Sequence, residues 1–145
     1  MTPRDWTLLV IAKAGSRSLQ PVQLQKSLFL LGRNLPKEAL QTESFYEFVP
    51  YDYGPFSSSV YSDAEQLESD GLVNILRPPE SRYKLYSATR EGAERAGVAE
   101  QSLSVSAKEY LEKVMRFVQT VPFNHLVTAI YKAYPEMKVN SVFQG

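Results

Sequence analysis

Between Gly54 and Val73 the chain carries a backbone break, an amphipathic segment, a glycine stop and the start of an extended run. Gly54-Pro55 interrupts whatever precedes it, and Ser57 is placed to accept a hydrogen bond from an otherwise orphaned amide at a helix start. Val60, Ala64 and Leu67 follow at i, i+4 and i+7, a single apolar stripe on a helix. Gly71 can adopt the left-handed conformation that closes a helix, after which Leu72-Val73 enters a strand.

The flanking segments supply a helical base. Asp5 is placed to cap a helix through about Gly15, with Trp6, Leu9 and Val10 at helical spacing and Gly15-Ser16-Arg17-Ser18 as its stop. Pro21 suits the first turn of a second helix. There Val22, Leu24, Leu28, Phe29 and Leu31 are apolar, Gln23, Lys26 and Arg33 are expected to point outward, and Pro36 ends the region. The aromatic stretch Glu43 to Tyr53 alternates in part, but Pro50 argues for an edge strand or an extended loop.

Beyond Gly71, Leu72–Leu76 and Tyr83–Ala88 are strand candidates joined by the polar connector Arg77–Arg82. Thr89 can cap the next helix, whose stability Gly92 and Gly97 limit. Ser102–Ser106 reads as a linker or cap. It leads into helices over about Ala107–Val121 and Pro122–Tyr134, with Tyr110, Leu111, Val114, Phe117, Val118 and Val121 buried in the first. Phe123, Leu126, Val127, Ile130 and Tyr131 face inward in the second, and Pro135 stops it.

This order predicts a mainly α fold with a small antiparallel β-hairpin, laid out as a winged helix-turn-helix over residues 1–101. A C-terminal helical extension over residues 102–145 packs on the same domain or forms a dimer seam. The size, 145 residues, suits one core, and 43% hydrophobic with 22% charged residues is ordinary globular composition. There is no cysteine, so disulfides and thiolate chemistry are excluded. The apolar run Leu8–Ala12 is too short to span a bilayer, and a soluble cytoplasmic protein is expected. Sixteen basic residues balance sixteen acidic ones, 16 against 16, whereas dedicated nucleic-acid binders more often carry a basic excess.

Val60-Tyr61 through Gly71-Leu72-Val73, with Tyr83-Lys84-Leu85 and Thr89-Arg90-Glu91-Gly92, resemble the helix, wing and following helix of PadR- and MarR-type regulators. Other segments carry a second likeness: Leu24-Gln25-Lys26-Ser27-Leu28-Phe29-Leu30, Tyr53-Gly54-Pro55-Phe56-Ser57 and Tyr131-Lys132-Ala133-Tyr134-Pro135-Glu136. In overall layout these resemble the YwgA-like group and, more distantly, the Panacea (SocA-like) antitoxin domains. The PadR- and MarR-type resemblance implies operator binding, usually by a dimer. The Panacea-type resemblance implies a partner protein, commonly a toxin.

In a winged helix Ser57, Ser58, Ser59, Ser62 and Gln66 would face the major groove of double-stranded DNA, while Arg77, Arg82 and Lys84 on the wing would reach phosphate or the minor groove. Asp63, Glu65, Glu68 and Asp70 oppose this, since no Lys or Arg lies between Ser57 and Gly71. On the plainer reading the serines are caps and the carboxylates a solvated face. Alternatively the acidic helix, or the aromatic stretch from Phe45 to Phe56, meets a basic protein partner. Lys13, Arg17, Lys26 and Arg33 form a second candidate positive surface. A homodimer would form through the helices near Ala107–Tyr134. No catalytic set emerges: His125 stands alone, and Glu91/Glu94 or Glu65/Glu68 are ordinary helix-surface pairs. Neither a phosphate loop nor a zinc signature is present, so no enzyme activity, metal or cofactor is expected.

Overall fold

Thr2, rather than Asp5, caps the first helix, α1 (Pro3–Lys13). Its hydroxyl accepts the Asp5 amide while the Asp5 carboxylate accepts the Thr2 amide. This reciprocal box satisfies two orphan donors, and Pro3 occupies the first helical position, where no amide is needed. Asp5 therefore works from inside the helix it was expected to precede. The computed structural model describes residues 1–143, and among these the fold is mainly α with two small antiparallel hairpins.

Helix α2 (Pro21–Asn34) follows as expected and buries Leu24, Leu28, Phe29 and Leu31. Lys26 corrects the outward placement: it is 1% exposed. A short helix α3 (Lys37–Leu40), absent from the sequence reading, is tied to α1 by the Trp6 indole, which donates to the Leu40 carbonyl at 2.8 Å. Residues 43–48 run as extended loop into a hairpin of β1 (Val49–Tyr51) and β2 (Gly54–Phe56). Gly54-Pro55 thus lies inside a strand instead of breaking the chain, with Pro50 opposite Pro55. Two prolines fit because, among the described residues, this ribbon has no further strand to pair with.

Helix α4 (Ser58–Ser69) buries Val60, Ala64 and Leu67. It closes on Gly71 at φ +77, with the Gly71 amide donating to Glu68 O and the Leu72 amide to Leu67 O. That paired bonding is a Schellman stop. Strand β3 (Val73–Leu76) pairs antiparallel with β4 (Leu85–Ala88), Ile75 opposite Tyr86. Tyr83 and Lys84 stay outside the ladder, where the Ser81 hydroxyl takes the Tyr83 amide. Leu19, between α1 and α2, adds a single bridge to Tyr86 through reciprocal backbone bonds.

Helix α5 (Arg90–Gln101) is capped by Thr89, whose hydroxyl accepts the Gly92 amide. Gly92 serves packing and does not merely weaken the helix, because a Cβ there would collide with the backbone of Leu72. Ser104 caps α6 (Val105–Thr120), which starts before Ala107. Met115 is buried in α6, whereas Tyr110, Phe117 and Val121 are half-buried. Helix α7 (Phe123–Ala133) and a 3-10 turn (Pro135–Lys138) are the last elements among the described residues. Phe123 faces out at 38% exposure, in contrast to its expected inward placement. One continuous core joins Trp6, Leu28 and Val60 to Leu111, Val118 and Leu126, so the α6 apolar face is buried within the chain. None of the helices among the described residues is long and apolar enough to cross a membrane.

Candidate functional site

The site anticipated from sequence centres on α4, and its placement begins at Ser57. The Ser57 side chain makes no capping bond, contrary to expectation. Instead the Gln25 side chain grips the Ser57 backbone, accepting its amide and donating to its carbonyl, both at 2.9 Å. Ser57 is buried, so it positions the helix and is withdrawn from the groove-facing set. Ser58, Ser59, Ser62 and Gln66 are exposed. By helical spacing they share the face opposite Val60, Ala64 and Leu67. The first turn lacks a side-chain cap, and the Val60 amide turns back to the Ser57 carbonyl at 3.2 Å, so Ser58 and Ser59 carry the amides that the helix itself does not use.

The three carboxylates of α4 and the Asp70 that caps its end do not form one solvated face. Asp63 turns toward α1, where Arg4 Nε lies 3.2 Å from its Oδ1 and the Tyr46 hydroxyl lies 2.5 Å from its Oδ2. Tyr46 in turn shares a 2.7 Å hydrogen bond with Thr7, which is fully buried. Burial, then the hydrogen bond to Asp63, pushes the Tyr46 phenol well above its ordinary range. Glu68 turns to the opposite flank and pairs with Arg77 at 3.3 Å. The hydrogen bonds between them hold the Glu68 carboxyl below its usual range and the Arg77 guanidinium above its own. Asp70 accepts from Gln66 at 3.1 Å. Glu65 is exposed.

Tyr46→Phe removes the hydroxyl that links Thr7 to Asp63 while keeping the ring. The expected cost is about 1–2 kcal/mol, read as a lower urea midpoint with an unchanged m-value. An unchanged midpoint would show that the link carries no stability.

On the β3–β4 hairpin and its connector, Arg82 is exposed and Lys84 half-exposed, and neither enters an ion pair among the described residues. Arg77 is drawn back to Glu68 and to the Ile75 carbonyl at 3.1 Å. The structure therefore brings Ser58, Ser59, Ser62 and Gln66 together, sets Arg82 and Lys84 on the adjoining hairpin, and separates Ser57 and Arg77 from them. Arg4 was missed by the sequence reading. With Ser58, Ser59, Phe45, Tyr46 and Asp63 it lines an open cleft of about 750 Å³ at the start of α4.

The second positive surface does not assemble. Lys13 pairs with Glu100 at 3.0 Å and Arg33 with Glu136 at 2.8 Å. Lys26 is buried, which leaves Arg17 exposed without them. The aromatic stretch divides: Phe45, Tyr46 and Phe48 pack against the core, while Tyr51 and Tyr53 are 50% and 43% exposed. Tyr51 stacks on Phe56 at 4.6 Å between ring centroids, and Tyr53 meets Phe123 edge-on at 5.5 Å. No protein-family model and no curated protein matches the chain.

Proposed function

We propose that the chain is a DNA-binding transcriptional regulator acting through a winged helix, with α4 as the recognition helix and the β3–β4 hairpin as the wing. The carrying observation is the solvent face of α4. Arg4 and Arg77 draw Asp63 and Glu68 to its two flanks, leaving Ser58, Ser59, Ser62 and Gln66 beside the exposed carboxylate of Glu65 and, at the helix end, that of Asp70, which accepts from Gln66. Hydroxyl and amide groups can bond base edges or phosphates, and free first-turn amides favour a phosphate. The Leu19–Tyr86 bridge ties the hairpin to the segment between α1 and α2, which supports a fixed angle between wing and helix.

Arg82 and Lys84 supply the wing's available cations in this reading. Changing both to alanine lowers the magnitude of the slope of log K against log salt by about 2, roughly one for each lost phosphate contact. Arg77→Ala alters the slope less, because its guanidinium is engaged with Glu68. Fluorescence anisotropy of labelled duplex over a salt series reads both effects. Equal slopes for the unmodified chain and the Arg82/Lys84 double variant would remove the wing from the proposal.

A second reading is favoured by the exposed hydrophobic edge of Tyr51, Tyr53, Phe123 and Val142. Aromatic side chains at such density suit a protein interface, as in an antitoxin or an accessory subunit of a toxin or defence system. An acidic docking face on α4 is the weaker form of that reading, since Asp63 and Glu68 are already paired within the chain. Loss of a captured partner on Tyr51→Ser with Tyr53→Ser, together with no DNA binding, would favour this second function.

A further inference from the structure

A second cavity, of about 280 Å³, opens between α2 and the β1–β2 hairpin, lined by Val22, Gln25, Lys26, Tyr51, Phe56 and Tyr61 among others. Its walls are aromatic: Tyr51 stacks on Phe56, and Phe56 meets Tyr61 edge-on at 5.6 Å. Lys26 brings a charge into this apolar setting at 1% exposure. Its ammonium donates to the Tyr53 carbonyl at 2.6 Å. It has no carboxylate within ion-pair range among the described residues. Asp52 also lines the cavity but does not reach that ammonium. Among the described residues, three donors therefore meet one protein acceptor, an arrangement that is costly for a buried charge.

The geometry points to a binding site for a small aromatic carboxylate. A carboxylate would give the ammonium both an opposite charge and the acceptors it lacks, while a flat ring would lie against Tyr51, Phe56 and Tyr61. The volume admits a single-ring compound. Burial lowers the Lys26 pKa to about 8, so the ammonium remains mostly protonated at pH 7. This site stands whether or not α4 meets DNA.

The test is titration of the full chain with benzoate at pH 7, following the Lys26 ε-methylene signal by NMR and the heat by calorimetry. A saturable shift of that signal is expected, with benzamide, which has the same ring without the charge, binding about tenfold or more weakly. Lys26→Met should lose benzoate affinity by a similar factor, whereas Asp52→Asn should retain or strengthen it. No saturable shift at benzoate concentrations on the order of 10 mM, or equal affinity for benzamide, overturns the assignment. The benzoate–benzamide comparison uses the unmodified chain and so decides the matter even if Lys26→Met fails to fold.

Discussion

Gly92→Ala is expected to destabilise the chain by about 3 kcal/mol or more, while Gly97→Ala stabilises it by about 0.5–1 kcal/mol. Both glycines sit in α5, and propensity alone would favour alanine at each. The difference is the neighbour. A Cβ on Gly92 would lie 2.8 Å from the Leu72 carbonyl carbon and closer still to its oxygen, whereas a Cβ on Gly97 meets nothing within 4 Å. Leu72 cannot retreat cheaply. Its amide completes the Schellman stop of α4, and its carbonyl accepts the Thr89 amide at 3.0 Å. The Thr89 hydroxyl also donates to Gly71 O at 2.8 Å. The end of α4 and the start of α5 are therefore one bonded junction, closed through a glycine. Urea unfolding of the two variants measures the contrast, and equal midpoints would show that the junction yields without cost.

Stability is expected to rise by roughly 2–3 kcal/mol as pH climbs from about 8 toward 10, and Lys26→Met should flatten that rise. The folded chain releases the Lys26 proton near pH 8, because burial disfavours the charge, whereas the unfolded chain holds it to about 10.5. Between those values the unfolded state binds more protons, so raising the pH favours folding. Below pH 8 both states carry the charge and the burial cost stands in full. Tyr46, Tyr61 and Tyr86 act in the opposite sense at the upper end. Burial raises all three phenols, so the unfolded state gives up those protons first and stability falls beyond about pH 10. The result is a maximum bounded below by Lys26 and above by the tyrosines. Chemical denaturation at closely spaced pH values reads it. A profile falling steadily from pH 7 would contradict the assigned burial of Lys26.

What the sequence made legible was local. The stripe Val60, Ala64, Leu67, the stop at Gly71 and the cap at Thr89 each depend on neighbours a few residues away, and the helix–hairpin–helix order from Ser58 to Gln101 follows from them. Interactions across long separations were not legible. Periodicity treats a lysine as solvent-seeking, so it could not place Lys26 beneath the Tyr53 carbonyl. It likewise read Asp63 as part of an acidic face, although Arg4 and Tyr46 approach it from α1 and the aromatic loop. Ser57 looked like a self-sufficient cap because serine usually is one, but Gln25 already holds its backbone. Gly92 carried a helix penalty on propensity and gained its purpose from Leu72. In the candidate site the exposed residue types were readable, but which charges remained free was settled by pairing with Arg4 and Glu68.

The central claim is that α4 and the wing bind DNA. Its most direct measurement is fluorescence-anisotropy titration of the chain against its own upstream region and against mixed genomic DNA, over a salt series. Tighter binding to the upstream duplex than to the mixed pool is expected, weakening with salt and losing slope when Arg82 and Lys84 become alanine. Absence of binding to either DNA at low salt would contradict it and move the function to the exposed edge of Tyr51 and Tyr53.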